Sequence, residues 1–419
     1  MSKCKVYVVD GLRTPFLKAR GKRGAFSASD LAVYAGRSLL MRQPFKPSDF
    51  DEVIMGCVMP EPDEMNIARI IALRLGCGKE VPAWTVQRNC ASGIQSIDAA
   101  RLKIQAGESD LILAGGTEVM SRAPLLLSHG LTDWLGDFQR CKTLPQKLSA
   151  LTKLRPAYLA PIVGILKGLS DPVVGLSMGQ TAENLAYRFQ IGREDMDAFA
   201  VKSHIKVVQA MEAGVLQDEI VQLIDKQGNI YDHDDGVRPE SSIENLAKLR
   251  PVFDRKYGMV TAGNSAQITD GAAMLILASS KAVRQYNLPV LGTVDDVSWA
   301  GLAPEEMGLG PAFSIPPLLT KHKLSVDDID AWEINEAFSV QVLASLQEMK
   351  NTGVGDISLD KINREGGAIA IGHPVGASGA RIVLHLLHSM KRNGEKRGIA
   401  SLCIGGGQGG AVLLSGGES

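Results

Sequence analysis

Cys90-Ala-Ser-Gly93 and Gly376-Ala-Ser-Gly379 are the stretches on which the fold turns, because each opens a segment of helical apolar spacing and each has the same neighbours in the same order. Ile94, Ile97, Ala100, Leu102 and Ile104 follow the first; Ile382, Val383, Leu386 and Leu387 follow the second. Each segment ends near a glycine, Gly107 or Gly394, and leads to a strand that breaks into glycines: Leu111-Ile-Leu-Ala-Gly-Gly116 and Ile399-Ala-Ser-Leu-Cys-Ile-Gly-Gly406. Upstream, Ser48-Asp-Phe-Asp-Glu-Val-Ile-Met55 matches Asp327-Asp-Ile-Asp-Ala-Trp-Glu-Ile334, an acidic turn and then strand-forming residues running into Gly56 or Asn335. The alternative, chance likeness between α/β segments, has to explain three elements recurring in one order. Two copies of one β/α unit, related by a pseudo-twofold axis, are therefore expected. Two glycine-flanked helix starts then face one another across the axis and focus partial positive charge on one spot.

Between the copies, residues 123–250 break the β/α rhythm and read as an inserted loop domain. The Gly-rich run Thr261 to Gly271 and the apolar run Ala272 to Ala278 read as a buried strand returning to the first copy's sheet. The expected division is thus 1–122, 123–250, 251–284 as a return strand, and 285–419, in an α/β architecture. A chain of 419 residues has ample material for two or three cores. Its 45 Lys plus Arg against 46 Asp plus Glu leave a formal charge of −1, so no global pull on nucleic acid is expected. Six cysteines (Cys4, Cys57, Cys77, Cys90, Cys141 and Cys403) form no CxxC pair and read as reduced thiols in a cytoplasmic compartment. No run approaches the roughly 20 apolar residues that span a bilayer, and Val6 to Val9 is too short for a signal-peptide core.

Cys90 sits where strand character gives way to a helix start, a position expected to lower a thiol's pKa and prepare a nucleophile. An inert packed cysteine is the bland alternative. His373, between Gly372 and Pro374 just before the second helix start, is placed to take the thiol's proton. His385 and His388 read as helix-face residues; His129, His204, His233 and His322 read as solvated or loop residues. Cys403 opens the run Cys403-Ile-Gly-Gly-Gly407, whose glycines let a backbone N–H approach a ligand oxygen. Asn335-Glu-Ala-Phe338 brings an amide and a carboxylate to a strand's carboxyl end, where α/β sites form.

Together, Asn89-Cys-Ala-Ser-Gly93, Asn335-Glu-Ala-Phe338, Gly372-His-Pro374 and Cys403-Ile-Gly-Gly-Gly407 resemble the thiolases, acetyl-CoA acyltransferases, in order and over nearly the whole chain. The resemblance implies a duplicated thiolase fold, a five-layered αβαβα core with a loop domain covering the site. It implies Cys90 as acyl-accepting nucleophile, His373 as its base, and Cys403 as the group moving a proton at the second substrate. Asn335 would hold a water that forms one oxyanion hole with His373; the backbone N–H groups of Cys90 and Gly405 would form the other. Met178 and Met307 would line the acyl pocket beside Phe338, and Ser265 stands next to Ala266 where the family's CoA-contacting serine is sought. The reaction implied is cleavage of a 3-ketoacyl-CoA by CoA, or its reversal as condensation of two acetyl-CoA. Coenzyme A is then a substrate, with no permanent cofactor and no metal, and a homodimer or homotetramer is expected.

Phe138 to Ser170 holds no Asp or Glu and six cations, Arg140, Lys142, Lys147, Lys153, Arg155 and Lys167, interleaved with Leu144, Leu148, Leu151 and Leu154. That pattern suits a helix lying in a membrane interface or on a partner, and a loop buried at a subunit interface is its equal alternative. It resembles the insertion in thiolase subunits of trifunctional fatty-acid-oxidation complexes, which pair with a hydratase/dehydrogenase subunit; many of those carry His where this chain has Asn335. Rival readings are a β-ketoacyl synthase, a Cys-His-Asn hydrolase and a catalytically silent CoA-binding scaffold. Cys403 argues against the first two.

Overall fold

The computed structural model describes residues 4–417, so the outermost ends of the expected 1–122 and 285–419 segments lie outside the described residues. Nine strands build the framework: β1 (Val6–Arg13), β2 (Glu52–Gly56), β3 (Ala83–Val86), β4 (Leu111–Val119), β5 (Thr269–Ser279), β6 (Gly292–Gly301), β7 (Ala331–Ile334), β8 (Arg397–Ile404) and β9 (Gln408–Gly416). In the first half β2 runs parallel to both β3 and β4, β4 pairs antiparallel with β5, and β5 antiparallel with β1. The second half repeats this: β7 is parallel to β8, then β9 and β6 follow antiparallel. A short pairing of Tyr7 and Val8 with Thr293 and Gly292 joins the halves into one continuous ladder. The duplication read from sequence thus reappears as four strands of the same order and direction in each half, with β3 an addition at the edge of the first.

Alternation along the strands sorts side chains into separate cores, as a period of two requires. Val53, Met55, Leu111 and Leu113 face the helices Ala28–Leu40 and Ile67–Arg74. Ile54, Ile112 and Ala114 face inward to a central core shared with Ala400, Leu402, Val412 and Leu414 of the second half. The helices Ser92–Ala106 and Val375–Asn393, hereafter the two seam helices, fill that central layer. Ile315, Leu318, Val342 and Met349, from helices Gly310–His322 and Ser339–Asn351, cover the outer face of the second half with Trp332 and Ile334. Helix, sheet, paired helices, sheet and helix make the five expected layers.

The seam helices cross at the glycines of the repeated motif. A Cβ on Gly93 would lie 2.5 Å from the Ala380 amide nitrogen, and one on Gly379 would lie 2.7 Å from that of Ile94. Only glycine permits this approach, which explains why both copies of the motif end in it. Leu102, expected on the buried face, is instead exposed, since its position in the first seam helix points away from both sheets.

The chain leaves the sheet after Val119 and returns at Thr269, where β5 slots between β1 and β4. The excursion carries helices His129–Arg140, Leu144–Leu151, Met178–Phe189 and Arg193–Glu212. Three histidine expectations need correction here. His204, expected solvated, is buried on the Arg193–Glu212 helix and accepts a hydrogen bond from the Arg238 N–H at 3.1 Å. His385, expected on a helix face, is buried between Glu219 at 2.9 Å and Glu365 at 2.8 Å, in a helix surrounded by protein on all sides. His388, from the same helix, is mostly covered for the same reason.

Candidate active site

Asn89 precedes Cys90 in a left-handed conformation, φ 44°, which asparagine tolerates better than most residues. That turn aims its side-chain amide at the glycine loop of the second half, where Nδ2 donates to the Gly405 carbonyl at 2.8 Å. The clamp holds Gly405, whose N–H favours the Cys90 thiolate together with the N–H of Cys90 itself. Cys90 is half-buried and Cys403 fully buried.

The helix-start expectation for Cys90 fails in direction. Burial raises its pKa above the ordinary value, the Gly405 and Cys90 N–H groups oppose that only in part, and the charge of Glu118 adds to it. Desolvation of a thiolate outweighs two amide dipoles, so the resting group is a thiol and needs a base at the moment of attack. Cys403 is pushed up further, by burial and by the neighbouring Cys90. Cys403 lies two residues before Gly405, to which Asn89 beside Cys90 is hydrogen-bonded, so both thiols border one loop.

His373 stands immediately ahead of the second seam helix, its backbone N–H donating to the Gln267 carbonyl at 3.1 Å. Its Nδ1 lies 2.6 Å from Ser378 Oγ and 3.5 Å from the Asn335 amide nitrogen. Burial, and then the charge of Arg381, lower its pKa to about 4, so the imidazole is neutral near pH 7. Two buried atoms here have no protein partner: His373 Nε2 and Asn335 Oδ1. Buried polar atoms are rarely left so, and an orphaned imidazole nitrogen beside an orphaned amide oxygen marks a place where a ligand or water belongs.

Asn335 is held by its N–H to the Ser401 carbonyl at 2.9 Å, at the end of β7. Beside it Glu336 accepts from Asn363 Nδ2 at 2.8 Å, Ser203 Oγ at 2.6 Å and the Ile369 N–H at 3.2 Å. It thereby ties the loop excursion and the approach to His373 to the strand end.

An apolar cluster next to Cys403 contains Met178, Leu185, Phe253, Val260, Met307 and Phe338. Met178 alone of the expected lining methionines also approaches the glycine loop, its Sδ 3.1 Å from where a Gly405 Cβ would stand. Met307 is buried packing within that cluster, and Phe338 meets Phe253 edge-on at 6.0 Å. The Ser265 hydroxyl donates to the Thr261 carbonyl at 2.7 Å, so its proton is engaged within its own loop. Asn89, Glu118, Asn363 and Ser378 were not singled out from sequence. Asn89 and Ser378 lay inside quoted motifs, as did Glu336, noted there only as a carboxylate at a strand end; nothing local marks Glu118, which acts across a chain separation of 258 residues.

Residues 6–281 match the family described as thiolase, N-terminal domain, and residues 288–416 that described as thiolase, C-terminal domain. The chain belongs to the thiolase family. It is 39% identical over 415 residues to a beta-ketoadipyl-CoA thiolase of Pseudomonas aeruginosa, covering 98% of each chain. To the mitochondrial 3-ketoacyl-CoA thiolase of Homo sapiens it is 38% identical over 413 residues, again 98% of each. The crystal structure of human mitochondrial 3-ketoacyl-CoA thiolase in complex with CoA superposes with a TM-score of 0.87 at 36% identity, covering 99% of this chain and 98% of that one. This thiolase is an acyltransferase of the CoA-using kind. Among its described residues no helix is long and apolar enough to cross a membrane.

Proposed function

We propose that this thiolase cleaves 3-ketoacyl-CoA with CoA, through a thioester on Cys90. What supports the reading is a half-buried Cys90 thiol beside the Gly405 loop, a second, buried thiol at Cys403 two residues before Gly405, and a neutral His373 whose Nε2 is unpartnered. In the first half-reaction His373 Nε2 takes the Cys90 proton as sulfur bonds to the 3-keto carbon. The Cα–C3 bond breaks, and the electron pair goes to the acetyl-CoA enolate, which takes the Cys403 proton at carbon. The N–H groups of Cys90 and Gly405 stabilise one oxyanion; a water on Asn335, with the His373 imidazole, stabilises the other, each donor contributing about 3 kcal/mol. In the second half-reaction CoA gives its proton to the Cys403 thiolate and attacks the acyl carbon. The Cys90 thiolate leaves and recovers its proton from His373, and acyl-CoA is released.

An alkyl acyl chain fits better than a dicarboxylate. Met178, Met307 and Phe338, in the apolar cluster that includes Cys403, suit an alkyl chain. The relatives named for β-ketoadipyl-CoA and for 3-ketoacyl-CoA therefore predict opposite rates with a 3-oxoadipyl-CoA and a 3-ketohexanoyl-CoA substrate. Faster turnover of the dicarboxylate would overturn the alkyl reading. Condensation of two acetyl-CoA is the same chemistry in reverse.

Mixing the protein with 3-ketohexanoyl-CoA in the absence of free CoA is expected to leave a butanoyl adduct on the Cys90 peptide. Intact mass without an adduct would refute the mechanism. Cys403→Ser is expected to keep acyl transfer from an acyl-CoA to Cys90 and to lose condensation, and equal loss of both would refute the division of roles.

The loop excursion supports a peripheral contact with an anionic lipid surface. Leu144, Leu148 and Leu166 are 70%, 56% and 63% exposed among the six cations of 138–170. Co-sedimentation with phosphatidylserine-containing vesicles that survives Leu144→Ser/Leu148→Ser/Leu166→Ser would count against that contact. Assembly as a homodimer or homotetramer, with or without a hydratase/dehydrogenase partner, is read by light scattering.

A further inference from the structure

The second seam helix begins without a cap of its own. Pro374, its N-cap residue, makes no side-chain cap hydrogen bond. The first-turn N–H of Gly376 donates instead to Glu118 Oε2 at 3.0 Å, from the opposite half of the molecule. Glu118 is fully buried near the end of β4, and the same carboxylate accepts the N–H groups of Val58 at 2.9 Å and Met59 at 3.0 Å. Cys57 Sγ approaches it at 3.7 Å. No cation pairs with Glu118 among the described residues; its negative charge is met by amide dipoles and a thiol.

We propose that Glu118 is a positioning residue for acyl transfer: it ties the start of the helix behind His373 to the end of β4 and to the Val58–Met59 turn of the other half. The inference rests on the roles given above to Cys90 and His373. A carboxylate at a helix start stabilises that turn through the dipole as well as the hydrogen bond, so losing it loosens the residue immediately upstream. Burial pushes the Glu118 carboxyl up to about 7, against the opposing pull of the Met59, Val58 and Gly376 N–H groups. Cys57, the titratable group in contact with it, is itself raised, by burial and then by Glu118, and is neutral. The second seam helix meets it through the Gly376 backbone N–H.

Glu118→Gln and Glu118→Asp test the assignment in the intact protein by stopped-flow acylation with 3-ketohexanoyl-CoA, read beside steady-state kcat and KM. Both variants are expected to acylate Cys90 at least ~10-fold more slowly, with KM changed less than kcat. Wild-type acylation in both variants overturns the proposal, as does a rise in KM that accounts for the whole loss. Should Glu118→Gln not fold, wild-type acylation by Glu118→Asp overturns the proposal by itself, and slow acylation with little change in KM supports it. If the wild type forms no acyl adduct, the reading of the function fails; iodoacetamide labelling of Cys90 at the wild-type rate in both variants then overturns the positioning role separately.

Discussion

Ser378 Oγ lies 2.6 Å from His373 Nδ1 and 3.0 Å from the Pro374 carbonyl, and a hydroxyl has a single proton to give. If that proton goes to the carbonyl, the hydroxyl accepts from Nδ1–H, and Nε2 carries the lone pair the thiol requires. With the opposite tautomer, Nε2 would be a buried donor without an acceptor and could take no proton. Ser378→Ala is therefore expected to lower kcat at least ~10-fold with little change in KM, and Ser378→Thr to restore most of it. Steady-state thiolysis of a 3-ketoacyl-CoA measures both. The lowered His373 pKa, about 4, keeps the base neutral down to mildly acidic pH, so protonation of this residue should limit activity only below about pH 5.

At the level of elements, the contact between the seam helices sets the distance between the two half-sites. Gly93→Ala would put a methyl group 2.5 Å from the Ala380 amide nitrogen, and backbone on both sides leaves it no rotamer to escape into. The helices must separate, at a cost of about 1–3 kcal/mol typical of overpacking. A fall in thermal midpoint together with slower acylation of Cys90 is the expected outcome, since one helix start carries Cys90 and the other His373. Wild-type acylation in a destabilised Gly93→Ala protein would mean that the helix spacing does not set the site geometry.

Over the whole molecule, a buried ionic cluster joins β1, the loop excursion and the second seam helix. Arg13 donates to Glu219 at 2.6 Å and to Asp234 at 2.7 Å, and Glu219 and Glu365 hold His385. Burial alone would lower the His385 pKa, but Glu219 and then Glu365 push it up to about 10; Glu365 in turn falls to about 2 through His385 and Arg392 despite its own burial. A raised histidine contributes stability that is fully present below its unfolded pKa of about 6.5 and is lost as pH rises through about 10. For Glu365 the contribution is present above about 4.5 and lost as pH falls towards 2. The thermal midpoint is thus expected to decline from pH 7 to 10. His385→Gln should cost about 3–5 kcal/mol at pH 7 and flatten the alkaline decline; an equally steep decline in the variant would remove His385 as its source.

The repeated Ala-Ser-Gly motif and the two copies of one β/α unit were legible from sequence, and Cys90, His373 and Cys403 stood out there as candidates. Each is announced locally, by glycines, a proline or a change of hydrophobic period within a few residues. The direction of the Cys90 pKa, the burial of His204 and His385, and the parts taken by Glu118, Glu336 and Ser378 were settled only by tertiary structure. Those properties depend on what lies across the seam. Desolvation is a sum over surroundings contributed by distant segments, and a cap donated from one half to the other leaves no mark in the local pattern of either.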